Sequence, residues 1–364
     1  MARERLRAGV IGKSWWSELE HLPGLRARGD VEVTGLCGRS PERLAAVAAK
    51  HQVPETYTDW RELVARGRLD VLVIATPNVL HREQALAGVA AGAHVICEKP
   101  LAMTLAEACE LRDHARAAGR KTLTFFTHRG LAASALAKRL VDAGHLGRPV
   151  HVAASYLTSS HLRLGKQAGW RMQRSQSGTG VLGDLGSHVV DLVRWWLGDF
   201  RRVCAHWMTV TGERDGIRTD ADEQVSFLAE LACGAQATFH ASKLAAGRGN
   251  LQRVELHGTA GSIVWEADPG FDATWEGRLW VGRPAATRLD PVPIPPELRR
   301  GLDTLDPQAN RNEAFRRLTD PFFAAIRGGG DPSPDFADGA AVQAVLDAVA
   351  ASAERGAWVD VERS

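Results

Sequence analysis

Lys99 is the first residue in this chain with a chemical use in view. It stands in Cys97-Glu98-Lys99-Pro100, which closes the apolar run Ala93-His94-Val95-Ile96. That run reads as a strand, and the proline fixes φ and biases Lys99 away from the helical region. An extended lysine at the C-terminal end of a strand lies where open α/β folds bind ligands. Its ammonium can stand beside a developing oxyanion, or act as a base if burial lowers its pKa. On the tetrapeptide alone, a solvated lysine before an ordinary turn is the simpler account. A second constellation lies in Asp184-Leu185-Gly186-Ser187-His188-Val189-Val190-Asp191. Asp184, His188 and Asp191 are spaced i, i+4, i+7 and so share one helical face. With an unperturbed pKa of about 6.5, His188 can exchange a proton near neutral pH. Asp184 can orient the imidazole or bind a neighbouring hydroxyl, and Asp191 reads as structural. A lone histidine on a helix face is most simply a packed side chain, so the surrounding elements must decide.

Those elements begin with Leu6 to Ile11, a strand that ends at Gly12. Gly12-Lys13-Ser14-Trp15-Trp16-Ser17 follows, and Glu18 to Arg28 reads as a helix. Strand, glycine turn and helix open a dinucleotide-binding unit. Of the three glycines of a full fingerprint only Gly12 is present, with Ser14 and Ser17 at the other two positions. Ser14 can donate its hydroxyl to a phosphate. Trp15 and Trp16 stand where the turn becomes a helix, and either line the ligand or pack beneath the turn. Val31 to Cys37 is the next strand. It ends in Gly38-Arg39-Ser40-Pro41-Glu42-Arg43, where NAD-binding units usually place a carboxylate for the ribose 2′-hydroxyl. Arg39, Ser40 and Arg43 suit a 2′-phosphate instead, which favours NADP(H) while leaving NAD(H) possible. Asp70 to Ala75 is a buried strand followed by Thr76-Pro77-Asn78 and a helix containing His81. Backbone N–H groups and small polar side chains at that junction suit an anionic or ribose ligand. Asp59 and Thr104 each begin capping boxes, and Lys121 to Phe126 is a further strand. Strands alternating with helices at this spacing predict a doubly wound parallel sheet over residues 1–128.

From residue 129 to 364 the pattern changes. A helix over Leu131 to Ala143 leads to a strand over Val150 to Tyr156 and a polar stretch containing Trp170-Arg171. After the helix that runs to about Leu197, consecutive β-like runs from Arg202 to Trp265 predict a mostly antiparallel sheet. Residues 282–304 read as a long proline-rich loop. Helices over 311–327 and 336–354 and a terminal strand near Trp358 to Val361 complete the chain.

The bulk composition bounds the partners. Among 364 residues, 45 basic and 43 acidic side chains give a net charge of +2, which lacks the basic excess of a nucleic-acid footprint. Five scattered cysteines without a CxxC pair argue against a zinc or disulfide framework, and fit a cytoplasmic setting. No signal-peptide core and no apolar run of about 18 residues is evident, so no membrane span is expected.

Gly12, Thr76-Pro77-Asn78 with His81, Glu98-Lys99-Pro100, Trp170-Arg171, Asp184-x-x-x-His188 and Gly258-Thr259-x-Gly261-Ser262 occur in this order. On these motifs the chain resembles, over nearly its full length, the glucose–fructose oxidoreductase / inositol dehydrogenase / rhizopine-catabolism (Gfo/Idh/MocA) family. The resemblance implies an N-terminal Rossmann domain and a C-terminal α/β domain with an open, mostly antiparallel sheet. It also implies an active site to which both domains contribute, and a homodimer or homotetramer formed through that sheet. The implied chemistry is hydride transfer between nicotinamide and a carbinol or ketone carbon of a sugar, sugar derivative or cyclitol. Lys99, His188 and Asp184 then carry catalysis. Trp170 and Arg171 join them on the substrate. Gly12, Ser14, Trp15, Arg39, Ser40, Arg43, Thr76, Pro77, Asn78, His81, Glu98 and Lys99 hold the cofactor, with Glu98 bracing the lysine strand or touching the nicotinamide side. No metal is expected. Two other readings stay open: glycoside cleavage by transient oxidation, elimination and re-reduction with a retained cofactor, and a non-catalytic sensor.

Overall fold

The computed structural model describes residues 5–12, 14–163, 167–268, 276–299 and 306–364. The chain divides into two units, one running to Thr127 and including Arg311–Ala340, the other comprising His128–Asn310 and Ala341–Ser364. The segment 311–340 thus falls in the first unit, where the two-block division 1–128 and 129–364 would put it in the second. The cause is apolar. Phe315, Leu318, Phe322 and Phe323 are buried in one core with Leu22, Leu25, Leu36 and Phe125.

The first unit holds six parallel strands, β1 (Leu6–Ile11), β2 (Val31–Cys37), β3 (Glu55–Tyr57), β4 (Val71–Ile74), β5 (His94–Glu98) and β6 (Thr122–Phe125), in the order β3-β2-β1-β4-β5-β6. β4 is buried along its whole length, as a strand covered by helices on both faces must be. The chain order reverses between β1 and β4, which opens a ligand crevice at the C-terminal ends of those strands. The helices start where local chemistry says they should: Asp59 accepts the Arg61 amide at 2.9 Å, and Thr104 accepts the Glu107 amide at 3.3 Å. The helix expected over Glu18 to Arg28 has two parts, a π-helical turn at Ser17–His21 and an α-helix at Leu22–Ala27.

The second unit is built on β7 (Pro149–Leu157), β8 (Phe200–Met208), a ribbon of β9 (Glu213–Arg214) with β10 (Ile217–Arg218), β11 (Gln224–Leu231), β12 (Gln236–Ser242), β13 (Leu251–Gly258), β14 (Ser262–Ala267), β15 (Arg278–Gly282), β16 (Asp290–Pro291) and β17 (Val359–Asp360). Nine of these form one sheet in the order β16-β15-β14-β13-β7-β12-β11-β8-β17. Every pairing is antiparallel except β7 with β12. Burial alternates along β11, so one face packs inward while Leu228 on the other remains half exposed. The helices Ala132–Asp142 and Ser187–Leu197 lie on the covered face, where the Trp196 indole donates to the Ser134 carbonyl at 3.2 Å. The expected loop at 282–304 contains β16 and a helical turn at Pro296–Arg299, and its residues 300–304 lie outside the described ones. Phe336–Arg355 is long and apolar enough to cross a membrane, but 67% of its most apolar window is buried, the profile of a core helix.

Candidate active site

In the first unit the nucleotide turn is set by Gly12. Its φ is +110°, and a Cβ placed there would meet the Ala75 carbonyl oxygen at 2.2 Å, so only glycine fits. Ser14 takes the place of the second glycine, and its hydroxyl oxygen accepts the Ser17 amide at 3.2 Å, which caps the π-helical turn. Lys13 lies outside the described residues. The two indoles that follow behave differently. Trp15 is 66% exposed, whereas Trp16 turns inward and donates from Nε1 to Glu98 Oε1 at 2.7 Å. At the end of β2, Arg39 and Arg43 are exposed and form no ion pair among the described residues. Ser40 caps Pro41–His51 through its backbone only, its carbonyl accepting the Leu44 amide at 2.9 Å. A dinucleotide fits this cradle. A close backbone approach is open at Gly12, and two uncommitted cations and a hydroxyl follow β2.

His81 is fully buried, with Nδ1 3.0 Å from the Pro100 carbonyl and Nε2 3.0 Å from the Thr76 carbonyl. Burial pulls its pKa down, against the pull of those two carbonyls. Held between these two carbonyls, His81 braces the Thr76-Pro77-Asn78 turn against Pro100. Thr76 donates its hydroxyl to Gln84 at 2.7 Å, and Asn78 is buried at the start of the following helix.

Glu98 is also a brace. Its Oε1 accepts from Trp16 and from His21 Nε2 at 2.8 Å, and its Oε2 accepts the Lys99 amide at 3.3 Å. Burial alone would raise its pKa. The His21 bond and charge, the Lys99 ammonium and the Trp16 bond together hold it below the usual carboxylate value. Trp16 and His21 are five residues apart, the repeat a π-helical turn brings to one face. One turn therefore aims both donors at a single oxygen, and the lysine is anchored through its own backbone. Beside this network lies Glu20, 2% exposed, with neither carboxylate oxygen hydrogen-bonded. Burial and the Glu98 charge push its pKa up to about 8, against the opposing pull of Arg311.

In the second unit Asp184 lies in a π-helical turn (Leu182–Gly186), and the α-helix proper starts at Ser187. The three residues expected on one face have different surroundings. Asp191 forms a buried bidentate pair with Arg129 (2.8 and 2.5 Å), which is structural. His188 is 6% exposed and packs its ring against His128, 4.1 Å between centroids, and near Tyr156 at 6.0 Å. Asp184 lies between two cations: Oδ1 accepts Arg171 Nε at 3.1 Å, and Oδ2 faces Lys243 Nζ at 2.9 Å. The Arg171 guanidinium also lies 4.3 Å over the Trp170 ring. Arg171 thus serves a carboxylate of the protein itself and covers one face of the Trp170 indole.

Several members of this cluster escaped sequence reasoning. Tyr156 is buried, and its phenol is pushed well above its usual pKa by burial and the Asp184 charge. The Gln252 amide meets His128 Nε2 at 3.0 Å from 124 residues away. Asp222 accepts the amides of Gly180 and Leu182 at 2.5 and 2.8 Å and so ties down the turn that carries Asp184. Lys243 had one available signal: like Lys99, it directly follows the C-terminal end of a strand. Among the described residues, no group of three or more His, Cys, Asp or Glu is gathered to hold a metal ion.

Residues 6–126 match the family model described as "Oxidoreductase family, NAD-binding Rossmann fold", and residues 134–264 match the GFO/IDH/MocA C-terminal domain. The chain is 33% identical over 356 residues to levoglucosan dehydrogenase of Pseudarthrobacter phenanthrenivorans, covering 88% of this chain and 87% of that protein. It is 31% identical over 364 residues to 1,5-anhydro-D-fructose reductase of Ensifer adhaerens, covering 98% of each. A solved levoglucosan dehydrogenase in complex with NADH superposes with a TM-score of 0.89 at 29% identity, covering 99% of this chain and 100% of that one.

Proposed function

Because the chain belongs to the GFO/IDH/MocA family of oxidoreductases, we propose that it oxidises or reduces one carbon of a sugar, sugar derivative or cyclitol. It is an NAD(P)-dependent enzyme with a Rossmann unit. The nicotinamide supplies the hydride donor or acceptor when bound. In the oxidising direction the carbinol C–H leaves with its electron pair, and His188 takes the O–H proton. Lys99 places a positive charge at the substrate oxygen, where charge develops. Asp184 binds a neighbouring hydroxyl. The observation that carries this reading is the strand-end lysine, anchored through the Glu98 carboxylate by Trp16 and His21. That framework fixes a cation's backbone beside the nucleotide cradle.

NADP(H) is favoured over NAD(H), because Arg39 and Arg43 are exposed, uncommitted and not accompanied by a carboxylate at Gly38. The chain assembles as a homodimer or homotetramer through the open face of the nine-stranded sheet, a reading that family membership supports. Half-exposed Leu228 lines a shallow hollow there with Ala153, Ser155, Cys204 and Thr238. A cytoplasmic setting fits five cysteines that are all unpaired. The test is a scan of sugars and cyclitols with NAD⁺ and NADP⁺ at the nicotinamide absorbance. Reduction with at least one polyol, faster with NADP⁺, is expected. Glycoside cleavage without net nicotinamide change would replace this reading with the elimination route.

A further inference from the structure

Lys243 follows β12, and its backbone is fixed on both sides. Its amide donates to the Glu223 carbonyl at 3.0 Å, and its carbonyl accepts the His161 amide at 3.0 Å. Glu223 in turn accepts His161 Nδ1 at 2.8 Å and the amides of Val210 and Thr211 at 2.8 and 2.7 Å, so this corner is rigid. The side chain is 3% exposed and directs its ammonium to Asp184 Oδ2 at 2.9 Å. The turn bearing Asp184 is itself held by Asp222. A buried ammonium is costly unless paired, and a surface role does not explain it.

The geometry points to Lys243 as a positioning residue for the substrate, an inference that rests on the sugar oxidoreductase reading. Arg171 reaches Asp184 Oδ1 and Lys243 reaches Oδ2. The two cations therefore fix the carboxylate plane, and Asp184 meets the hydroxyl next to the reacting carbon in the orientation they set. Arg171 approaches from a partly exposed position and Lys243 from the buried side. Lys243 is thus the fixed point and Arg171 the adjustable one. Its effect is carried through Asp184 and falls on sugar binding, with nucleotide binding untouched.

A double-mutant cycle tests this. Lys243→Gln removes the charge at similar size and is expected to raise the sugar KM by about tenfold or more, with the NAD(P)⁺ KM within about twofold. Lys243→Arg retains the charge and keeps the sugar KM within about threefold of wild type. In an Asp184→Asn background, Lys243→Gln adds little, because the partner through which it acts is already lost. Circular dichroism confirms that each variant is folded. Should Lys243→Gln not fold, a large rise in sugar KM in folded Lys243→Arg overturns the inference. So does a wild-type sugar KM in Lys243→Gln, or a loss that adds in full on Asp184→Asn. A wild-type enzyme that turns over no polyol with either nucleotide defeats the functional reading and this inference together, an outcome distinct from the others.

Discussion

The two units handle a carboxylate next to a reactive side chain in opposite ways. In the first, Glu98 is held by an indole N–H, an imidazole and a backbone amide, and the cation beside it in sequence is Lys99. In the second, Asp184 is held by two full cations, Arg171 and Lys243, and the group one turn on is an imidazole. The first arrangement satisfies the carboxylate with mostly weakly charged donors and holds the lysine through its backbone amide. The second sets the carboxylate between two full charges that fix its plane. Each carboxylate is served by a π-helical turn, Ser17–His21 for the donors and Leu182–Gly186 for the acceptor itself. Such turns recur at functional sites because they aim side chains that an α-helix would separate.

The sharpest way to break this contrast is to remove the reactive groups themselves. Lys99→Met should lower kcat by about a thousandfold with nucleotide affinity unchanged, as expected for a lost electrostatic stabiliser of the transition state. His188→Ala should cost about a hundredfold or more, the scale of general acid–base catalysis, read from the pH–rate profile. If nucleotide binding fell with either variant, the division of labour between the units would be wrong.

Glu20 sharpens the comparison on the stability side. Its folded pKa of about 8 lies above the ordinary carboxylate value, so the native state holds this proton more tightly than the unfolded chain. Its contribution to stability is present at low pH and is lost progressively as pH rises from the unfolded value through about 8. Glu20→Gln should therefore stabilise the protein above pH 8 by about 2–4 kcal/mol, with little change at pH 5, measured by urea unfolding at both values. Glu223 runs the other way. Its pKa is lowered to about 2, so its stabilisation holds above the ordinary carboxylate range and disappears as pH falls through that value. A smaller effect is expected at the brace itself. Trp16→Phe removes one donor to Glu98 and should cost about 1–3 kcal/mol of stability, with a modest fall in kcat and no change in sugar KM. Smallest of all, Arg39→Glu should shift the NADP⁺/NAD⁺ preference by about tenfold through a surface contact weakened by salt.

What was legible in the sequence was local. Lys99 before Pro100, the caps at Asp59 and Thr104 and the strand–turn–helix at Gly12 are dictated by neighbours in the chain. The doubly wound parallel sheet and the mostly antiparallel second sheet followed from element spacing. The site partners were not legible, because they are long-range contacts. Trp16 meets Glu98 across 82 residues, and His128 meets Gln252 across 124. No periodicity encodes such a meeting. The same holds for the surroundings of His81 and Glu98: position in the chain does not give the two carbonyls at the His81 ring or the Trp16 and His21 donors at Glu98. The placement of 311–340 with the first unit likewise depends on four buried apolar side chains finding a core laid down by the other end of the chain.

The central claim is that the anchored lysine acts on the substrate oxygen, not on the nucleotide. The rate of nicotinamide reduction in a single turnover of Lys99→Met, saturated with NADP⁺ and an accepted sugar, tests it most directly. A fall of about a thousandfold with wild-type NADPH affinity is predicted. A wild-type rate, or a loss explained entirely by weaker nucleotide binding, would contradict it.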